Sequence, residues 1–214
     1  MIPIQFTEDQ YDMLKEVVNQ AMGKAGSDLA RILESFVDLV VPDIEIVAAE
    51  HVVDKILLRS VFNENEAVTL FRQSFSNPVF VTGESIVVFN HETHDIISEI
   101  LGFTNPEDKI ETLDFMMELS NLMVGACVNN ISEQLFSQTM SFSPPEMVSE
   151  NKSLQESVYE KFKRRKLKWD YTLLSKITFT LKDKSFKSDL IIFIPQEAIQ
   201  IINDSLDKLL AEYE

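Results

Sequence analysis

Two stretches of this chain carry the same four residues at the same spacing. Asp12, Glu16, Asn19 and Gly23 recur 102 residues later as Asp114, Glu118, Asn121 and Gly125. The pattern D-x3-E-x2-N-x3-G therefore occurs twice in fixed register. From the abundance of Asp, Glu and Asn, a chain of this make-up carries D-x3-E-x2-N about 0.07 times by chance. Such a repeat points to internal duplication, which restricts the fold to two copies of one unit.

Both copies lie on long amphipathic helices. In the first, apolar residues fall at Tyr11, Leu14, Val18, Met22, Ala25, Leu29, Leu33, Phe36 and Val40, in steps of three and four. Thr7 and Gln10 are spaced as a capping box to start this helix, and Pro42 is expected to end it. The second helix begins after Asn105-Pro106, with Leu113, Met117, Ser120, Val124, Cys127, Ile131 and Leu135 on its apolar side, and Pro144-Pro145 closes that stretch. At ~100° per residue, steps of four, three and four keep Asp, Glu, Asn and Gly on one helix face. That face is distinct from the apolar stripe, so it is expected to meet solvent or a partner. A helical Gly costs roughly 0.5–1 kcal/mol relative to Ala. It lets another surface approach the backbone, either a partner or a neighbouring helix.

The segments after the two helices are also similar. The first half continues with a strand from Ile44 to Val47, a short helix around Val52 to Leu58, strands at Ala67 to Phe75 and Ser85 to Asn90, and a closing helix from Thr93 to Leu101, stopped by Gly102. The second continues with a helix-prone stretch from Leu154 to Lys168, strands at Tyr171 to Leu181 and Asp189 to Ile194, and a terminal helix from Gln196 to Leu210. Val87-Val88-Phe89 and Ile191-Ile192-Phe193 each lead into a closing helix. The fold expected is α+β: two long helices on a mainly antiparallel sheet, with pseudo-two-fold symmetry. One domain, 1–214, is expected, built of halves at about 1–104 and 105–214 that share one sheet and one core.

Composition narrows function. Acids outnumber Lys and Arg by 35 to 19, a net charge of -16, which opposes any broad attraction to nucleic acid or anionic lipid. No apolar run approaches the ~20 residues of a membrane helix, and Met1 to Gln10 lacks the features of a secretory leader. Cys127 is the one cysteine, so neither an internal disulfide nor a Cys-rich zinc site is expected. A cytoplasmic protein is expected.

The doubled D-x3-E-x2-N on long helices resembles the CheC, CheX and FliY group of response-regulator phosphatases. The strand-to-helix passages Ile86 to Leu101 and Leu190 to Leu206 extend the likeness over nearly the whole chain. The family's first motif usually continues Asn-Ile-Gly-x-Gly. Here Asn19-Gln20-Ala21-Met22-Gly23 and Asn121-Leu122-Met123-Val124-Gly125 keep only the later Gly, which leaves CheC, CheX and FliY-like subfamilies open. The resemblance implies a CheC-like fold and hydrolysis of an aspartyl phosphate on a CheY-like receiver domain. Asn19 and Asn121 would orient the attacking water, and Glu16 and Glu118 would clamp the receiver. Asp12 and Asp114, with Gly23 and Gly125, would support the clamp or touch the partner. No metal or cofactor of the protein's own is implied, since the receiver supplies Mg²⁺ and a Lys. The alternatives are a non-catalytic module that sequesters a phospho-receiver or docks on the flagellar switch, and an adaptor for another signalling enzyme.

Other features fit bland roles. His91 and His94 are spaced for a shared metal but lack an evident third ligand, so a surface or capping role is expected. The basic run Lys161 to Lys168 reads as a solvated helix, with contact to an acidic partner as the alternative. Cys127, Met116 and Met117 read as core residues.

Overall fold

A computed structural model describes residues 5–33, 37–79, 81–93, 96, 109–163, 170–181 and 186–213. The order of elements is α1 (Glu8–Leu33), β1 (Val37–Ala48), a 3-10 turn (Ala49–His51), α2 (Val52–Arg59), β2 (Ala67–Ser76), β3 (Thr82–Asn90), α3 (Lys109–Phe136), β4 (Ser141–Phe142), β5 (Glu146–Ser153), α4 (Leu154–Lys163), β6 (Tyr171–Leu181), β7 (Lys187–Pro195) and α5 (Gln196–Tyr213).

The capping box at the start of α1 forms as its spacing predicts. Thr7 N–H donates to Gln10 Oε1 at 2.8 Å, and Gln10 N–H donates to Thr7 Oγ1 at 3.2 Å. Gln10 Nε2 also donates to Asp207 Oδ1 at 2.6 Å, which ties the helix start to α5. At the other end, α1 is described to Leu33 and β1 begins at Val37, so the helix does not run on to Pro42. Residues 37–41 belong to β1, which pairs with β6 from Val37–Leu181 to Ala48–Tyr171. The β-branched run there satisfies strand and helix spacing equally, and pairing with β6 decides. Pro42 falls at the register shift between Val40 and Asp43, where a strand tolerates a residue without an N–H.

Among the described residues, seven strands form one antiparallel sheet in the order β1-β6-β7-β3-β2-β4, with β5 also paired to β2. The halves are interleaved. β1 of the first half lies beside β6 of the second, and β5 of the second lies beside β2 of the first, while β3 and β7 meet at the centre. Val87 opposite Leu190 and Ile86 opposite Ile191 alternate between the two faces. Both faces are covered, so these strands read as continuous apolar runs rather than alternating ones. On one face α1, α3 and α5 pack over Phe71, Phe75, Val87, Phe89, Ile177 and Ile192, among others. Cys127 is fully buried in this core, and burial pushes its thiol pKa well above the ordinary value. On the opposite face α2 and α4 cover a smaller core that includes Val52, Ile56, Leu70, Val88, Leu154 and Ile191.

β4 and β5 have no counterpart in the sequence-based expectation, because Glu146–Ser153 is mostly polar and its strand is held by pairing with β2. Of the expected helix Leu154 to Lys168, α4 occupies Leu154–Lys163, and 164–168 lies outside the described residues. Lys161 departs from the solvated reading: it is 7% exposed and ion-paired to Glu84. The expected helix from Thr93 to Leu101 lies almost wholly outside the described residues, as does His94, but residues 91–93 are helical. Asn90, not a histidine, caps that turn, accepting from Thr93 N–H at 3.0 Å. His91 is exposed.

Gly83 sits where the sheet needs a missing side chain. A Cβ there would lie 2.3 Å from the Phe75 ring and 2.6 Å from the Phe193 carbonyl oxygen. Phe75 is opposite Gly83 in the β2–β3 register. Gly83→Ala is therefore expected to lower stability by about 1–3 kcal/mol, read as a lower urea midpoint with unchanged slope.

Candidate functional site

Both repeated motifs fall on solvent-facing stripes of the helices that cover the larger core. On α1, Asp12, Glu16, Asn19 and Gly23 lie on the outer side, while Leu14, Val18, Ala21, Met22, Ala25 and Leu29 are buried. On α3, Asp114, Glu118 and Asn121 lie on the outer side and Gly125 is half-buried. The buried side of α3 runs through Met116, Leu119, Met123, Val124, Cys127 and Val128. Leu113, Met117 and Ile131, expected on its apolar side, lie at its margins, partly buried. The two helices pack against each other, and Lys24 reaches Glu133 across them at 3.0 Å.

Among the described residues, neither motif glycine is needed to let a neighbour approach. A Cβ built on Gly23 or on Gly125 meets nothing within 4 Å. A helix-helix contact at either glycine is thus absent among the described residues, and the backbone is open to an approaching surface.

The two stripes differ in their flanking side chains. On α1, Lys15 Nζ pairs with Asp12 at 2.8 Å and stands 4.3 Å from the Tyr11 ring centroid. The hydrogen bond to Asp12 raises the pKa of the Lys15 ammonium. Gln20 Nε2 donates to Glu16 Oε1 at 2.8 Å. In α3 the residues 102 further on are Met117 and Leu122, and Leu122 is 37% exposed. Among the described residues, Asp114 and Glu118 have no ion-pair or hydrogen-bond partner.

The amides differ too. Asn121 Oδ1 accepts a hydrogen bond of 2.6 Å from Gln73 Nε2, which also donates to the Ser143 carbonyl at 2.8 Å. Asn19 has no such partner among the described residues; it borders a groove of about 540 Å³ lined by Met22, Gly26, Ala30, Val37 and Leu39. Sequence reasoning passed over Gln73. Its one signal was an amide between two phenylalanines in the alternating run Phe71, Gln73, Phe75.

Chemically, an exposed carboxylate can pair with a cation of a docked partner, and an amide one turn away can hold a water by one donor and one acceptor without titrating. Among the described residues, no group of three or more His, Cys, Asp or Glu is arranged to hold a metal ion, and no helix is long and apolar enough to cross a membrane.

No family model and no curated protein matches the sequence. Solved structures do match in fold. FliY from Thermotoga maritima superposes with a TM-score of 0.64 at 18% identity, over 96% of this chain and 99% of that one. The FliM middle domain from Vibrio alginolyticus gives 0.56 at 9% identity, over 92% and 99%. FliM in its complex with SpeE from H. pylori gives 0.57 at 12% identity, over 95% and 97%. The chain thus has the CheC-like α+β fold that its sequence resemblance implied.

If the motif glycines serve an approaching surface rather than the fold, the fold gains from losing them. Gly23→Ala and Gly125→Ala are each expected to raise stability by about 0.5–1 kcal/mol, seen as higher denaturant midpoints. A loss at either position would mean that the glycine packs inside the molecule.

Proposed function

We propose that the protein hydrolyses the aspartyl phosphate of a CheY-like receiver domain in a chemotaxis or related two-component pathway. The observation that carries this reading is the outward placement, twice on one fold, of a carboxylate and an amide one turn apart beside an open glycine backbone. The likeness in fold to FliY supports it.

An acyl phosphate is already prone to hydrolysis, so catalysis consists mainly of positioning and charge stabilisation. The receiver brings Mg²⁺ and a Lys, and this chain needs no cofactor of its own. Glu16 or Glu118 accepts the receiver's Lys and fixes the docked pose, with Asp12 or Asp114 supporting it. Gly23 and Gly125 leave the helix backbone open to the receiver. Asn19 or Asn121 holds the water in line with the phosphorus. The water oxygen bonds to phosphorus while the bond to the aspartyl oxygen breaks. Its electron pair stays on the carboxylate, and both water protons leave on the phosphate.

The likeness to FliM middle domains supports a second reading, a non-catalytic module that docks on the flagellar switch or sequesters a phospho-receiver. The two separate on mutation. Asn19→Ala combined with Asn121→Ala is expected to slow phosphate loss from a phosphorylated receiver by roughly 10²-fold or more while receiver binding persists. An unchanged rate in the double variant would sink the phosphatase reading.

A further inference from the structure

Gln73 occupies a position where the fold alone calls for an apolar side chain. On β2 the residues facing α1 and α3 include Phe71 and Phe75, both in the larger core, with Gln73 between them at 2% exposure. A buried amide is costly unless it is hydrogen-bonded. Gln73 is only half satisfied: both Nε2 hydrogens are used, while Oε1 is buried without a partner among the described residues.

Chemistry fixes the direction of these bonds. A backbone carbonyl only accepts, so the group that Gln73 turns towards Ser143 must be its NH₂. Ser143 is itself held on β2 from both sides, its N–H donating to the Ser74 carbonyl at 2.9 Å and its Oγ accepting from Ser74 N–H at 3.1 Å. The second Nε2 hydrogen points to Asn121, which must therefore present its oxygen inwards. That leaves Asn121 Nδ2 and one lone pair of Oδ1 for a water. A donor on Oδ1 also polarises the amide and strengthens Nδ2 as a donor.

Asn19 lacks this arrangement. β6, the duplicate counterpart of β2, turns Leu173, Ser175, Ile177 and Phe179 towards the helices, with no amide among them. Two further differences favour the α3 motif. Its Asp114 and Glu118 are not engaged by a neighbouring Lys or Gln among the described residues, whereas Asp12 and Glu16 are.

We propose that Gln73 is a positioning residue, which orients Asn121 before the receiver docks and makes the α3 motif the faster of the two. This rests on the phosphatase reading, and it names which copy carries most of the turnover and why.

The test is a double-mutant cycle on the full chain, with a phosphorylated receiver as substrate. Asn121→Ala is expected to cost more turnover than Asn19→Ala. In the Asn19→Ala protein, Gln73→Met should lower kcat by roughly 3- to 10-fold, the order that ordering one side chain is worth, and change KM less than about twofold. Gln73→Glu keeps the shape but cannot donate, so it should lower kcat as well. Once Asn121 is Ala, the cost of Gln73→Met should vanish, because Gln73 acts only through that amide. An equal cost with and without Asn121 would show a merely structural role and overturn the proposal, as would no cost in the Asn19→Ala protein.

A readout without turnover distinguishes this failure from failure of the underlying reading. Side-chain amide order parameters, assigned with the two Asn→Ala variants, should show Asn121 more rigid than Asn19 and loosened by Gln73→Met. Equal mobility in the unmodified protein overturns the positioning role. Absence of turnover in the unmodified protein overturns the phosphatase reading, and the claim of a faster α3 motif falls with it.

Discussion

The exchange of outer strands between the two halves holds everything else in place. β1 pairs along its length with β6, and β5 pairs with β2, so each half contributes the edge that closes the other's strands. The shared sheet is then buried on both faces, and the face under α1 and α3 sets how those helices rotate. Their apolar sides are committed to Phe71, Phe75, Phe89, Phe179 and their neighbours, which leaves the motif stripes facing outwards.

The two stripes carry the same residues at the same spacing, but their surroundings differ. α1 places Lys15 and Gln20 against its carboxylates, and α3 has apolar residues at the matching positions. A carboxylate already paired on its own helix must give up that partner to clamp another cation, although an exposed pair of this kind is worth little. The amides diverge in the same sense: one leans on a buried glutamine and the other stands beside a groove. Each difference lies in residues outside the repeated pattern, which is why the repeat alone could not rank the two copies.

Much of this was legible in the sequence. The Thr7–Gln10 box, the two long helices and the apolar runs of β3 and β7 come from local spacing and from burial on two faces. The motif side chains stand on the solvent side because a helix buries only one stripe. What escaped depends on distant pairing. Residues 37–41 suit helix and strand alike, and only β6 decides between them. Glu146–Ser153 shows no apolar period, and it is a strand because β2 offers it an edge. Lys161 sits in a basic run that reads as solvated, yet Glu84, on the neighbouring sheet, draws it under cover. Gln73 was visible as an amide between two phenylalanines, but its partner lies 48 residues along the chain, on a different element.

The central claim is that this surface turns over its partner rather than holding it. The most direct measurement is a time course of phosphate release from a large molar excess of phosphorylated receiver over this protein. Catalysis requires release to continue to completion through many receivers per molecule, well above the receiver's own rate. Release at the receiver's own rate, or protection of an amount of receiver equal to the protein added, would contradict catalysis and leave a binding module.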